Sequence, residues 1–254
     1  MSRSSSRRQA GVSLVELLVG IAIGLLVVLA AVGTLIVSRG ATRTTADVSA
    51  LQQQASYALR IIGLQLRQAG SLELQPTAGA TAMTFGDFAG TVISGSDGSG
   101  TGPDILTVSS QPSLTLEAGQ RDCIGDTSTT AVSSRFTLND KGELTCKGAT
   151  SLMPQPVIAN VADFQVAYRV NTGTTDAPKI RTYTATDMNA VPARWARVSA
   201  IEICLDLIGE EAVPDTGATY ADCQGATPAR GTRTHLVFRN VFAVRRQPFF
   251  EVAL

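Results

Sequence analysis

The chain has 254 residues, enough for one membrane helix and one globular domain of ordinary size. Its 21 basic and 21 acidic residues balance, and removing residues 1–11 would take away Arg3, Arg7 and Arg8 and leave 18 against 21. A strongly cationic nucleic-acid binder is therefore excluded as the default class.

The first eleven residues are short, polar and basic, and by the positive-inside rule Arg3, Arg7 and Arg8 hold this end in the cytoplasm. Arg39 and Arg43 flank the far end of the next segment, so the charge asymmetry is modest but favours N-terminus in, remainder out. From Val12 to Val37 run 26 mostly apolar residues in which Glu16 is the only charge. At 1.5 Å per residue such a helix spans about 39 Å, enough to cross a bilayer. A carboxylate inside it costs roughly 2.5–3.5 kcal/mol on insertion scales, so a partner for Glu16 is expected. The apolar run exceeds the 7–15 residues usual in a secretory signal peptide, although Ala31-Val32-Gly33 would serve as a cleavage site. Gly20 and Gly24 add a small-residue face suited to close helix contact.

No proline precedes Pro76, and residues 41–69 keep helical periodicity. Val48, Leu51, Ala55, Ala58/Leu59, Ile62, Leu66 and Ala69 form one stripe, with Gln52, Gln53, Ser56, Arg60 and Arg67 largely off it. Gly70 is a natural stop. The spacing predicts one continuous helix over residues 12–69. Its first half is apolar all round and its second half amphipathic, so the second half needs a globular domain against its stripe.

From residue 71 the period becomes two. Phe164, Val166, Tyr168 and Val170 alternate with Asp163, Gln165, Arg169 and Asn171; Ile201, Ile203, Leu205 and Leu207 alternate with Glu202, Cys204 and Asp206. Leu236, Phe238, Phe242 and Val244 follow the same rule with an interruption at Asn240. Shorter candidates are Ile105–Ser109, Ser113–Glu117, Arg135–Leu138 and Gly142–Cys146, while Ser94–Pro103 and Gly209–Gly231 have loop composition. No internal repeat of fixed period stands out. The expected fold class is α+β, with an antiparallel sheet packed on the amphipathic half-helix.

Cys123, Cys146, Cys204 and Cys223 fall into two sequence-local pairs without the spacing of a metal knuckle. In an oxidising compartment they read as two disulfides; Cys123–Cys146 with Cys204–Cys223 is the simplest of three possible pairings, and four buried thiols is the cytosolic alternative. By loop-closure entropy each local bridge would contribute about 3 kcal/mol.

Arg7-Arg8-Gln9-Ala10-Gly11, followed by Val12-Ser13-Leu14-Val15-Glu16-Leu17-Leu18, resembles the class III signal of type IV pilins and pseudopilins. The resemblance implies that a prepilin peptidase cuts between Gly11 and Val12 and N-methylates Val12, where many relatives carry Phe. Glu16 then becomes the fifth mature residue and sets assembly register against a neighbouring subunit's new N-terminus. Leu51-Gln52-Gln53-Gln54, Leu66-Arg67-Gln68-Ala69-Gly70, Val161–Tyr168, Trp195-Ala-Arg-Val198 and Val237-Phe-Arg-Asn240 are similar to PilW-type minor pilins, in the expected order. Ser71-Leu72-Glu73-Leu74 stands where relatives often place a cysteine.

The implied fold is pilin-like, with a leader at 1–11, a helix at 12–70 that crosses the membrane over about 12–37, and a β-rich periplasmic domain at 71–254. The implied role is a non-enzymatic subunit, inserted once in the inner membrane with its N-terminus cytoplasmic, that primes or caps pilus assembly. Implied partners are the prepilin peptidase, other minor pilins, the major pilin and a tip adhesin. A minor pseudopilin of a type II secretion system is the nearest alternative, and a signal-anchored periplasmic enzyme a more distant one.

Other candidate sites are weaker. A serine hydrolase needs a histidine, and the one present, His235, sits mid-strand with no GxSxG motif. Asp97 and Asp104 bracket a Gly/Ser loop that lacks the carboxylate density of an EF-hand. Trp195 reads as sheet packing or a surface contact, and Arg245-Arg246 is too short for a nucleic-acid patch. No metal and no cofactor are expected.

Overall fold

The computed structural model describes residues 11–71, 74–75, 84–85, 91–111, 120–129, 131–174, 177–213 and 217–244. The candidate strand Ser113–Glu117, the leader arginines and Arg245-Arg246 lie outside them. Two compact units divide the chain, residues 1–46 and 47–254.

Helix α1 is Leu14–Gln68, within two residues of the expected ends. In the first unit it is apolar all round. In the second unit Leu51, Ala55, Ala58, Ile62, Leu66 and Ala69 are buried, and Gln52, Gln53, Ser56, Arg60 and Arg67 are exposed, as the periodicity requires. Gly70 ends the helix with φ +64°, a left-handed conformation that glycine adopts without Cβ strain.

The β-rich unit holds two large antiparallel sheets and a small ribbon, where periodicity alone suggested one sheet. The ribbon pairs β1 (Leu74–Gln75) with β2 (Thr84–Phe85). The five-stranded sheet is a meander of β3 (Ile93–Ser96), β4 (Ile105–Ser110), β5 (Val132–Leu138), β6 (Leu144–Gly148) and β7 (Gln155–Ile158). The four-stranded sheet combines β8 (Val161–Asn171), β9 (Ile180–Tyr183), β10 (Val198–Ala212) and β11 (Arg233–Ala243) in the order β11-β10-β8-β9. Between β9 and β10 lie a short helix α2 (Ala185–Ala190) and a 3-10 turn at Pro192–Arg197.

Both sheets and the helix stripe share one core, in which Phe136 and Leu106 meet Phe164, Tyr168, Ile203 and Leu205. Alternation therefore placed the inward residues of β8 and β10 correctly. A buried polar relay ties helix to sheet: Ser134 Oγ donates to Gln65 Oε1 at 2.9 Å and accepts from the Cys123 amide at 2.9 Å. Gln65 Nε2 also donates to the Arg121 carbonyl. Every member has a partner, which is the condition for burying such groups cheaply.

Two loop expectations needed correction. Ser94–Ser96 lies in β3, paired with Ile105–Thr107 of β4. Gly95 fits there because a Cβ would strike the Tyr168 hydroxyl and the Ile105 carbonyl. Gly209–Ala212 extends β10 through a bulge, and the Glu210 and Glu211 amides donate to the Asp47 carboxylate of α1. Asn240 does not interrupt β11; its side-chain oxygen accepts from the Val241 amide within a continuous strand. Loop composition misled because a partner across the chain supplied the missing hydrogen bonds.

Candidate assembly site on the N-terminal helix

The helix begins just past Gly11-Val12-Ser13, which are exposed and non-helical. Ser13 caps it: its hydroxyl accepts from the Glu16 amide at 3.2 Å, and its carbonyl accepts the first helical bond from the Leu17 amide at 3.1 Å. Glu16 is thus three residues past the cap, in the first turn. Ser-x-x-Glu is capping-box spacing, and a carboxylate here lies near the positive end of the helix dipole. Charge alone points to Glu16 and not to Ser13, whose signal is the Ser-x-x-Glu spacing three residues before it.

Downstream, the helix is long and apolar enough to cross a membrane, and none of its most apolar stretch is buried. Sixteen large apolar side chains between Val12 and Ile36 are exposed, Leu26 at 66% among them. At about 1.5–3 kcal/mol for each full burial, covering them is worth roughly 25–50 kcal/mol. This face therefore requires lipid or other helices. Among the described residues, no side chain or other segment lies within 4 Å of a Cβ built on Gly20 or Gly24.

The remaining candidates are structural ties. Asp97 accepts from the Ala185 and Thr186 amides at 2.7 and 2.8 Å, anchoring the start of α2 beside its cap Thr184. Burial pushes the Asp97 carboxyl up, but hydrogen bonds from Thr186, Thr184 and Ala185 outweigh this and hold it below the ordinary value. Asp104 accepts from the Gly98 and Val166 amides, and burial nevertheless pushes it up. The oxygens that a calcium ion would use thus already serve backbone amides. Among the described residues no group of three or more His, Cys, Asp or Glu side chains is placed to hold a metal.

His235 Nδ1 lies 3.1 Å from both carboxylate oxygens of Asp206, and the Tyr220 hydroxyl donates to Asp206 Oδ2 at 2.8 Å. Tyr220 stacks on the imidazole with ring centres 4.3 Å apart. Burial raises the Asp206 carboxyl despite these partners. The two cysteines of this part of the sheet, Cys204 and Cys223, are bonded to each other. The cluster pins the 217–231 segment to the outer face of β10. Trp195 packs edge-on against Tyr168, centres 4.8 Å apart, and donates its Nε1–H to Asn189.

Comparison with known proteins bears on the same two regions. Residues 126–247 match the family model described as Type IV Pilus-assembly protein W. Residues 6–32, around Gly11 and Glu16, match the Prokaryotic N-terminal methylation motif. The chain thus carries a PilW domain behind a prepilin-type N-terminus. Among solved structures, the chain is similar to a type IV-like pilin, TTHA1219 from Thermus thermophilus. The identity is 15% over 76% of this chain and 95% of that one, with a TM-score of 0.44. No curated protein matches the chain. Pilins are structural subunits, and the prepilin-type N-terminus with its apolar helix fits a membrane-anchored pilin.

Proposed function

We propose that this protein is a minor pilin that primes or caps pilus assembly and carries no catalytic site. A prepilin peptidase cuts between Gly11 and Val12 on the cytoplasmic side and methylates the new Val12 amine. The globular unit faces the periplasm, where it meets other minor pilins, the major pilin and a tip adhesin. The observation that carries this reading is the exposed apolar helix with one carboxylate in its first turn, inside the residues that match the methylation motif.

After cleavage the cationic Val12 amine lies one turn from Glu16. In a packed bundle the carboxylate meets the amine of a neighbouring subunit, because an unpartnered charge in that environment is costly and a paired one sets axial register. The Glu16 amide donates to the Ser13 hydroxyl, and Ser-x-x-Glu spacing would let the carboxylate cap in return, so the two roles need separating. Glu16→Gln keeps the capping geometry and removes the charge. Under the proposal, Glu16→Gln and Glu16→Ala both insert in the membrane and both fail to enter filaments; incorporation of the Gln variant at the native level would reduce Glu16 to a cap. Mass spectrometry of sheared pili should find a mature chain starting at N-methyl-Val12. An intact leader in assembled fibres, or cleavage near Gly33, would end the proposal.

A further inference from the structure

Both disulfides are built on the same six-residue pattern, which periodicity did not reveal. Asp122-Cys123-Ile124-Gly125-Asp126-Thr127 and Asp222-Cys223-Gln224-Gly225-Ala226-Thr227 share Asp-Cys-x-Gly-x-Thr, offset by 100 positions (222 − 122). The hydrogen bonds repeat one for one. Asp122 Oδ1 accepts from the Ile124 and Asp126 amides at 3.0 and 2.9 Å; Asp222 Oδ1 accepts from the Gln224 and Ala226 amides at 2.9 and 2.8 Å. In each loop the Asp amide donates to the carbonyl four residues on, and the glycine amide donates back to the Asp carbonyl. Gly125 and Gly225 have φ +92° and +84°, which a side chain would strain.

An arginine grips each loop from outside its hydrogen-bonded ring. Arg121 Nη1 donates to the Gly125 carbonyl at 2.8 Å, and Arg239 donates to the Asp222 and Cys223 carbonyls. The second cysteine sits in each case on a strand of a different sheet: Cys146 on β6, Cys204 on β10. The four bonds that form the ring itself join five consecutive residues, Asp122–Asp126 or Asp222–Ala226, so the ring can close before its strand arrives. Closing so short a segment costs little chain entropy.

We propose that each Asp-Cys-x-Gly-x-Thr loop is a preformed presenter of its cysteine, so that the two disulfides form and resist reduction as independent clips. The chemistry is thiol–disulfide exchange with an external disulfide, for which glutathione disulfide serves as probe. The loop cysteine, as thiolate, attacks the glutathione disulfide; one sulfur–sulfur bond breaks, a mixed disulfide forms and one glutathione thiolate leaves. The strand cysteine, as thiolate, then attacks the loop sulfur, giving Cys204–Cys223 or Cys123–Cys146 and the second glutathione. Two protons and two electrons leave the protein, and the oxidant ends as two glutathione thiols. Asp122 and Asp222 are positioning residues here: they touch neither sulfur in the exchange.

The test uses the full-length protein in detergent, equilibrated against graded ratios of reduced to oxidised glutathione, then alkylated and mapped by peptide mass spectrometry. Each clip thereby yields its own effective thiol concentration. Asp222→Ala should lower the value for Cys204/Cys223 about tenfold, through the loss of two carboxylate hydrogen bonds, and leave Cys123/Cys146 within about twofold. Asp122→Ala should do the reverse. Asp122→Asn and Asp222→Asn retain an acceptor oxygen and should stay close to the parent protein. If either alanine variant weakens both clips equally, or neither clip responds, the proposal is overturned. Equal weakening is what general unfolding produces, so a variant that fails to fold also counts against it.

Discussion

The first 46 residues and the 208 that follow share one helix but meet opposite surroundings. Up to Ile36 apolar side chains cover every side of the helix and remain exposed; in the second unit they narrow to a stripe whose Leu51, Ala55, Ala58, Ile62 and Leu66 are buried, Ile62 at 0%. Leu26 and Ile62 differ little in chemistry. What differs is the pattern around them: an unbroken apolar run needs a partner outside the chain, whereas a 3.6-residue stripe can be covered by the chain itself. One half of α1 is built for assembly and the other for folding.

Substitution at these two positions is the sharpest way to break that contrast. Ile62→Ala removes buried methyls from a filled core and should destabilise the globular unit by about 2–5 kcal/mol. Leu26→Ala should leave urea unfolding of that unit unchanged within about 0.5 kcal/mol. A comparable loss from Leu26→Ala would mean that the two units are energetically one.

Next in size are the clips, which belong to the second unit alone. The double variant Cys204→Ala/Cys223→Ala should cost about 3 kcal/mol by loop-closure entropy, read as a lowered urea midpoint. Membrane insertion of the same variant should be unaffected.

The smallest expected effects concern helix starts, one in each unit. Asp97→Ala unties α2 from β3 and should cost about 1 kcal/mol at pH 7. The Asp97 carboxyl is held below its ordinary value of 3.8, so its contribution is complete above 3.8 and fades as the pH falls through the lower folded value. The gap between variant and parent should therefore close in strong acid. Asp104 behaves oppositely: burial raises its carboxyl, so the folded state takes up that proton more readily and gains relative stability as the pH drops towards 3.8. Urea titrations of Asp97→Ala and Asp104→Asn from pH 7 to 3 should diverge in sign. Ser13→Ala, which removes the cap of α1, should cost about 1 kcal/mol of helix-start stability. Amide exchange should show faster exchange at Glu16 and no change beyond Ala46.

Much of this architecture was legible in order along the chain. The buried stripe of α1 and the inward faces of β8 and β10 follow from periodicity, because burial on one side of a helix or strand writes its own period. The methylation motif and the odd charge at Glu16 were equally plain, since few apolar helices tolerate a carboxylate without use for it. Ser13 is legible too, as the Ser of a Ser-x-x-Glu cap signal.

Other features had no local signature. Gly95 and Gly209–Ala212 look like loop until the Tyr168 hydroxyl and the Asp47 carboxylate are placed beside them. Helix α2 is only six residues long and depends on Asp97, some 88 positions earlier. The partition into two sheets is invisible to alternation, which records which face is buried and not which strand lies alongside.

By itself, then, the amino-acid order determined the prepilin-type start, the membrane-length helix, its amphipathic continuation and the alternating strands, because each is a local periodicity or a local charge. Only the tertiary structure decided which strands share a sheet and where Asp47, Asp97 and Asp206 find their donors. Those outcomes rest on hydrogen bonds and packing between residues distant in sequence, and no local pattern encodes which distant group arrives.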